Sequence, residues 1–150
     1  MREAAISKGL LFHYFENKLG VYAFVYDYSV RYLLLELSTA VDAKETDLFT
    51  LMQQVETGKM HAMCGYPYLQ PFLNRAQAEN VNEALVAVEE RKQQMEEAYE
   101  NIYARADLGK YAAAEDVMKL RKMMELTIKG LMNERILEDA FQPEMLYEEI

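Results

Sequence analysis

Between Ser7 and Lys18 the chain gathers residue types suited to non-covalent recognition of a surface that is part base edge and part phosphate. Ser7 is a natural N-cap, because its hydroxyl can accept a bond from one of the orphan amides that open a helix, so a helix is expected from Lys8. At about 100° per residue, Leu11 and Phe15 share one side with Phe12 at its edge, while Gly9, Leu10, His13 and Tyr14 point the opposite way. One face is then free to be buried and the other to touch a partner. Gly9 lets a backbone approach closely, the helix N-terminus favours phosphate, and Lys8 and Lys18 can bracket it. An amphipathic surface helix that happens to carry these rings is the plainer alternative.

Other chemistries find little support. Neither His13 nor His61 is preceded at three residues by the glutamate of a Glu-x-x-His motif, and Gly-rich phosphate loops, zinc-protease helices and nucleophile elbows are not evident. No catalytic residue, cofactor or metal site is expected. His61 and Cys64 could share a soft metal on a helix, but two ligands are too few for a site. Pairs such as Glu89-Glu90 and Glu96-Glu97 are expected on solvated faces.

The run Ala4-Ala5-Ile6-Ser7-Lys8-Gly9-Leu10-Leu11-Phe12-His13-Tyr14-Phe15, followed by Asn17-Lys18, closely resembles the helix-turn-helix signature of TetR-type (TetR/AcrR) transcriptional regulators. Ala5 stands where that family usually has a turn glycine, and Phe12 where tyrosine is common. The resemblance implies that Lys8, Gly9, Leu10, Phe12, His13, Tyr14 and Lys18 lie at or near DNA while Leu11 and Phe15 pack inward. It covers the end of the second helix, the turn and the recognition helix. The first helix and most of the second have no counterpart in this sequence, so residues 1–18 are expected to be a partial helix-turn-helix and residues 19–150 a helical effector-binding and dimerisation domain.

With 150 residues, 51% of them hydrophobic, one domain with a sizeable core is expected beside that remnant. The formal net charge of -9 is unevenly spread. Residues 1–31 hold four basic against three acidic side chains and carry +1, and the twelve basic and twenty-two acidic side chains that remain leave −10. Only the first segment suits a polyanion. The lone Cys64 points to a reducing compartment, and neither a signal peptide nor a membrane-spanning run is evident, so a cytoplasmic location without membrane contact is expected.

The elements that must position this surface read as helices throughout. Leu19 to about Ser38 is apolar over much of its circumference and is expected to be central and buried on several sides, a rod between DNA-reading and effector-binding parts. Thr39 to Glu45 reads as a loop, Thr46 or Asp47 as the next cap, and the helix that follows as stopping at Gly58. From Lys59 to Phe72, prolines and glycines break the pattern amid dense methionine and tyrosine. Long amphipathic helices follow from about Val81 to Ala104 and from about Ala112 to Asp139, the second with Val117, Leu120, Met124, Leu131 and Leu137 as its stripe. Ala113, Ala114, Thr127 and Gly130 are small enough for close helix approach.

The sequence therefore supports an all-α homodimer that binds a double-stranded DNA operator as a regulator, most simply a repressor, and is released by a small apolar, aromatic or cationic effector. Candidate effector contacts are Tyr28, Tyr32, Met60, His61, Met63, Tyr66, Tyr68, Phe72 and Tyr99, chosen because methionine adapts to irregular partners and tyrosine joins an apolar body to a polar tip. The alternative is a dimeric helical ligand-binding module without working DNA-binding activity.

Overall fold

The computed structural model describes residues 17–136, and the readings for Lys8, Gly9, Leu10, Phe12, His13 and Tyr14, and for Leu11 and Phe15, lie outside that range. The described residues form five helices and no strand: α1 Lys18–Ala40, α2 Leu48–Gly65, α3 Leu69–Ala76, α4 Asn82–Ala104 and α5 Ala114–Ile136. None of these is long and apolar enough to cross a membrane.

Asn17 starts α1 by accepting the Gly20 amide on its side chain at 2.8 Å. Tyr26, Val30, Leu33 and Leu37 recur at helical spacing and are buried, and they pack on Leu51, Val55 and Ala62 of α2, Leu69 and Leu73 of α3, and Val88 and Met95 of α4. The rod thus lies against three helices. It is not enclosed, however. Phe24, Tyr28 and Leu35 stand 53%, 47% and 61% exposed, because they lie on the side of the helix opposite Tyr26, Val30, Leu33 and Leu37.

Asp47 caps α2, accepting from the Thr50 amide at 2.9 Å and the Thr50 hydroxyl at 2.8 Å, while its other oxygen pairs with Lys110. The Lys110 ammonium and the Thr50 donors hold the Asp47 carboxyl well below the usual carboxylate range, at about 2. The Asp107 amide also donates to the Thr46 carbonyl at 2.8 Å, so the α1–α2 and α4–α5 loops are tied at one end of the bundle.

Gly58 does not stop α2, which runs on to Gly65. It serves as a contact point instead: a Cβ there would come within 3.0 Å of Leu37 Cδ2 and 3.3 Å of Ala40 Cβ, so the missing side chain lets α1 and α2 approach closely. The expected break over 59–72 shrinks to Tyr66–Tyr68 for the same reason. Pro71 then sits in the first turn of α3, where an amide would have no intrahelical acceptor.

An ion pair crosses from α4 to α1, with Arg91 Nε donating to Asp27 Oδ1 at 2.6 Å. Helix α5 is placed differently from the rest. Its backbone comes close to α3 and stands off from α4, which leaves a space between them. Ile128 and Met132 point inward and are buried, whereas Leu120, part of the stripe read from sequence, is 45% exposed beside Met123 and Leu126. The reason is angular: Leu120 lies about 80–120° around the helix from Ile128 and Met132 and cannot share their side.

Candidate functional site

The space between α4 and α5 is a cavity of about 450 Å³ walled by α2, α3, α4 and α5. Its depth is apolar, with Leu73 from α3, Met95 from α4, and Ile128 and Met132 from α5, all buried. Its mouth is polar, where Gln77, Glu96, Glu100 and Lys122 are exposed. An apolar body inside and a polar rim outside is the common build of a small-molecule site.

Set into that lining is a group of polar side chains that burial makes costly. Lys59 of α2 donates to Glu56 at 3.0 Å, with the two side chains 20% and 11% exposed, and its ammonium lies 5.6 Å from the centre of the Tyr99 ring. Burial opposes the Lys59 charge, but Tyr99, once ionised at high pH, and the Glu56 carboxylate together outweigh it and hold the ammonium above its ordinary value. Burial pushes the Tyr103 hydroxyl up to about 12 and raises Tyr99 as well, so both phenols are protonated donors at neutral pH. The Arg121 guanidinium lies over the Tyr103 ring at 4.2 Å and donates from Nη1 to Glu125 at 2.8 Å.

Charge around the wall balances. Glu56, Glu96, Glu100 and Glu125 face Lys59, Arg121, Lys122 and Lys129, and Lys129 also donates to Gln77 at 2.6 Å. Two buried polar atoms have no hydrogen-bond partner among the described residues: Gln70 Oε1 and Arg121 Nε. Both residues line the cavity. Buried polar atoms are nearly always paired, so the wall's hydrogen bonding is incomplete at these two, and since each is closed off from the open space a bound molecule would reach it only as neighbouring side chains shift.

Of the residues singled out from sequence as effector contacts, Tyr99 lines this cavity. Tyr28, Tyr32 and Tyr66 come together elsewhere, at the surface: the Tyr28 and Tyr66 hydroxyls are 3.0 Å apart, and the Tyr32 and Tyr66 rings meet edge to face at 4.9 Å. Phe72 belongs to the main core beside Tyr22 and Tyr26. Met63 is buried against Met132, behind the cavity wall, while Met60 is half-buried and His61 and Tyr68 are exposed. Lys18 is exposed at the start of α1. Among the described residues no group of three or more histidine, cysteine, aspartate or glutamate side chains could hold a metal.

No protein-family model, curated protein or solved structure matches the chain. What the cavity accepts must be read from its own walls. The residues that matter most were visible as anomalies of pattern: Arg121 and Glu125 fall on the same helical face as Ile128 and Met132, and Gln70 is a polar residue set between Leu69 and the Pro71-Phe72-Leu73 run. A charge or amide inside an apolar stripe is a stronger signal for a lined cavity than a cluster of tyrosines, which packs equally well at a surface.

Proposed function

We propose that this chain is a TetR-like transcriptional regulator whose DNA contact is made by residues 1–18 and whose release from DNA is governed by a small molecule in the α2–α5 cavity. The observation that supports this reading is that the helices walling the cavity also pack on α1. Helices α2 and α4, which supply Lys59, Tyr99 and Tyr103 to the wall, are also the helices packed most extensively on the rod, and Arg91–Asp27 ties α4 to it. The rod begins at Lys18, directly after the segment that resembles a recognition helix. A ligand that prefers one placement of α4 relative to α1 shifts the population of that placement, by no more than its differential affinity for the two states.

The outward stripe of α5, with Leu120 and Met123 exposed beside Thr127 and Gly130, supports a homodimer. A two-fold dimer would set two recognition helices about 34 Å apart, one turn of DNA. The −10 net charge of residues 32–150 favours a second reading, a ligand-binding module that does not engage DNA. Polarisation titration of the full chain against a duplex selected from a random pool, at several salt concentrations, separates them. The regulator forms a specific complex whose affinity falls steeply with salt as counterions are released, and the module forms none even at low salt.

A further inference from the structure

Two adjacent amides on α3 fix the chemistry of the cavity floor. Asn74 Nδ2 lies 3.2 Å from the Met132 sulfur, a thioether that can only accept, so the nitrogen of Asn74 must face it. Asn74 Oδ1 then faces Gln70 at 3.1 Å and accepts from Gln70 Nε2. That orientation turns Gln70 Oε1 away from Asn74 with its acceptor capacity unused, on a residue only 9% exposed. Across the cavity, Arg121 has committed Nη1 to Glu125 and its plane to Tyr103, and its buried Nε–H is left without an acceptor. One wall lacks a donor and the other lacks an acceptor.

The fixed charges do not ask for a charged guest. Lys59 is matched by Glu56, and Arg121 by Glu125, so an ion entering the depth would stand uncompensated or break one of these pairs. Inside the polar rim the rest of the lining is the Tyr99 and Tyr103 rings, the Met95 and Met132 thioethers and the aliphatic Leu73 and Ile128, which suit a flat apolar body. A void of about 150 Å³ already admits benzene, so about 450 Å³ takes two or three fused rings.

From these observations we infer that the cavity binds an uncharged fused-ring aromatic molecule bearing one hydrogen-bond donor, seated on Gln70 Oε1, and one acceptor, seated on Arg121 Nε–H. The inference rests on the small-molecule reading above and names the ligand class for that same cavity.

A matched probe series tests it by calorimetric titration of the full chain, with ¹³C-methyl methionine spectra to locate the site at Met95 and Met132. The probes are 2-naphthamide, its N,N-dimethyl derivative that lacks the donor, 2-naphthoate and 2-naphthamidine. The amide is expected to bind at least about tenfold more tightly than each of the others, since an unmet buried polar atom or a stranded charge costs at least that factor. It is also expected to shift the Met95 and Met132 methyls. Gln70→Met is expected to erase the advantage of the amide over its dimethyl derivative. Because the series is run first on the parent chain, the inference stands or falls even if that variant does not fold. Tighter binding of the naphthoate or the naphthamidine, equal binding of the dimethyl amide, or no amide binding at 1 mM would overturn it. Amide binding by a chain that forms no DNA complex would instead defeat the regulator and leave the ligand class intact.

Discussion

Replacing Lys59 with methionine keeps most of the side-chain volume and removes the charge, which isolates the electrostatic part of the cavity wall. At 3.0 Å the Lys59–Glu56 attraction is about 5.5 kcal/mol in gross terms at an effective dielectric of 20, most of it offset by the cost of taking both groups out of water. Removing one partner forfeits the attraction and leaves the other's desolvation standing. For a fully buried pair that costs about 3–5 kcal/mol, and with 20% and 11% of the two side chains still exposed we expect about 2–3 kcal/mol. With a urea slope of about 2 kcal/mol/M, the midpoint of unfolding followed by circular dichroism should fall by about 1–1.5 M. The double variant Lys59→Met with Glu56→Gln has no stranded charge and should return to within about 1 kcal/mol of the parent. A single variant within about 0.5 kcal/mol of the parent, or a double variant no more stable than the single, would show that the pair is not desolvated and that the charge-balanced wall is misread.

Other expectations follow from the same geometry. Burial raises the Tyr103 hydroxyl to about 12, so its stabilising contribution is intact below the ordinary phenol value of about 10 and is lost as pH rises toward 12. A tyrosinate absorbance titration should show late-ionising phenols that move to the normal range in urea, and a single normal transition in the folded chain would contradict this. Gly58→Val pushes methyl groups into Leu37 and Ala40 and should cost about 1–3 kcal/mol, measured by urea unfolding. Leu120→Glu with Met123→Glu should leave the helix content unchanged and convert the proposed dimer to monomer in sedimentation velocity, since both positions are exposed in the single chain.

The helices were largely legible because their cause is local. The repeat from Val81 to Ala104 predicts a helix that the structure begins one residue later, at Asn82, and ends at Ala104, and Asp47 caps α2 as its side chain suggests. Gly58 misleads because glycine stops a helix when it ends a pattern and permits close packing when it lies inside one, and only the partner helix decides between the two. The cavity was harder to read for a related reason. Its walls come from four helices, so the proximity of Gln70, Tyr103 and Arg121 is set by how far α5 stands from α4 and not by any spacing along the chain. Three of the tyrosines that drew attention in sequence, Tyr28, Tyr32 and Tyr66, do cluster, but on the outer flank of α1, because ring-to-ring contact is satisfied at a surface as well as in a pocket.

Coupling between the cavity and the start of α1 is the centre of the account, and its most direct measurement is a distance. A nitroxide at Lys18→Cys, in a chain with Cys64→Ser, reports the separation of the two rods in the proposed dimer by double electron–electron resonance. With 2-naphthamide saturating the cavity, the distance distribution should shift away from that of the ligand-free dimer. An unchanged distribution at saturation would contradict the account, because filling the cavity would then leave the segment that leads into residues 1–16 where it was.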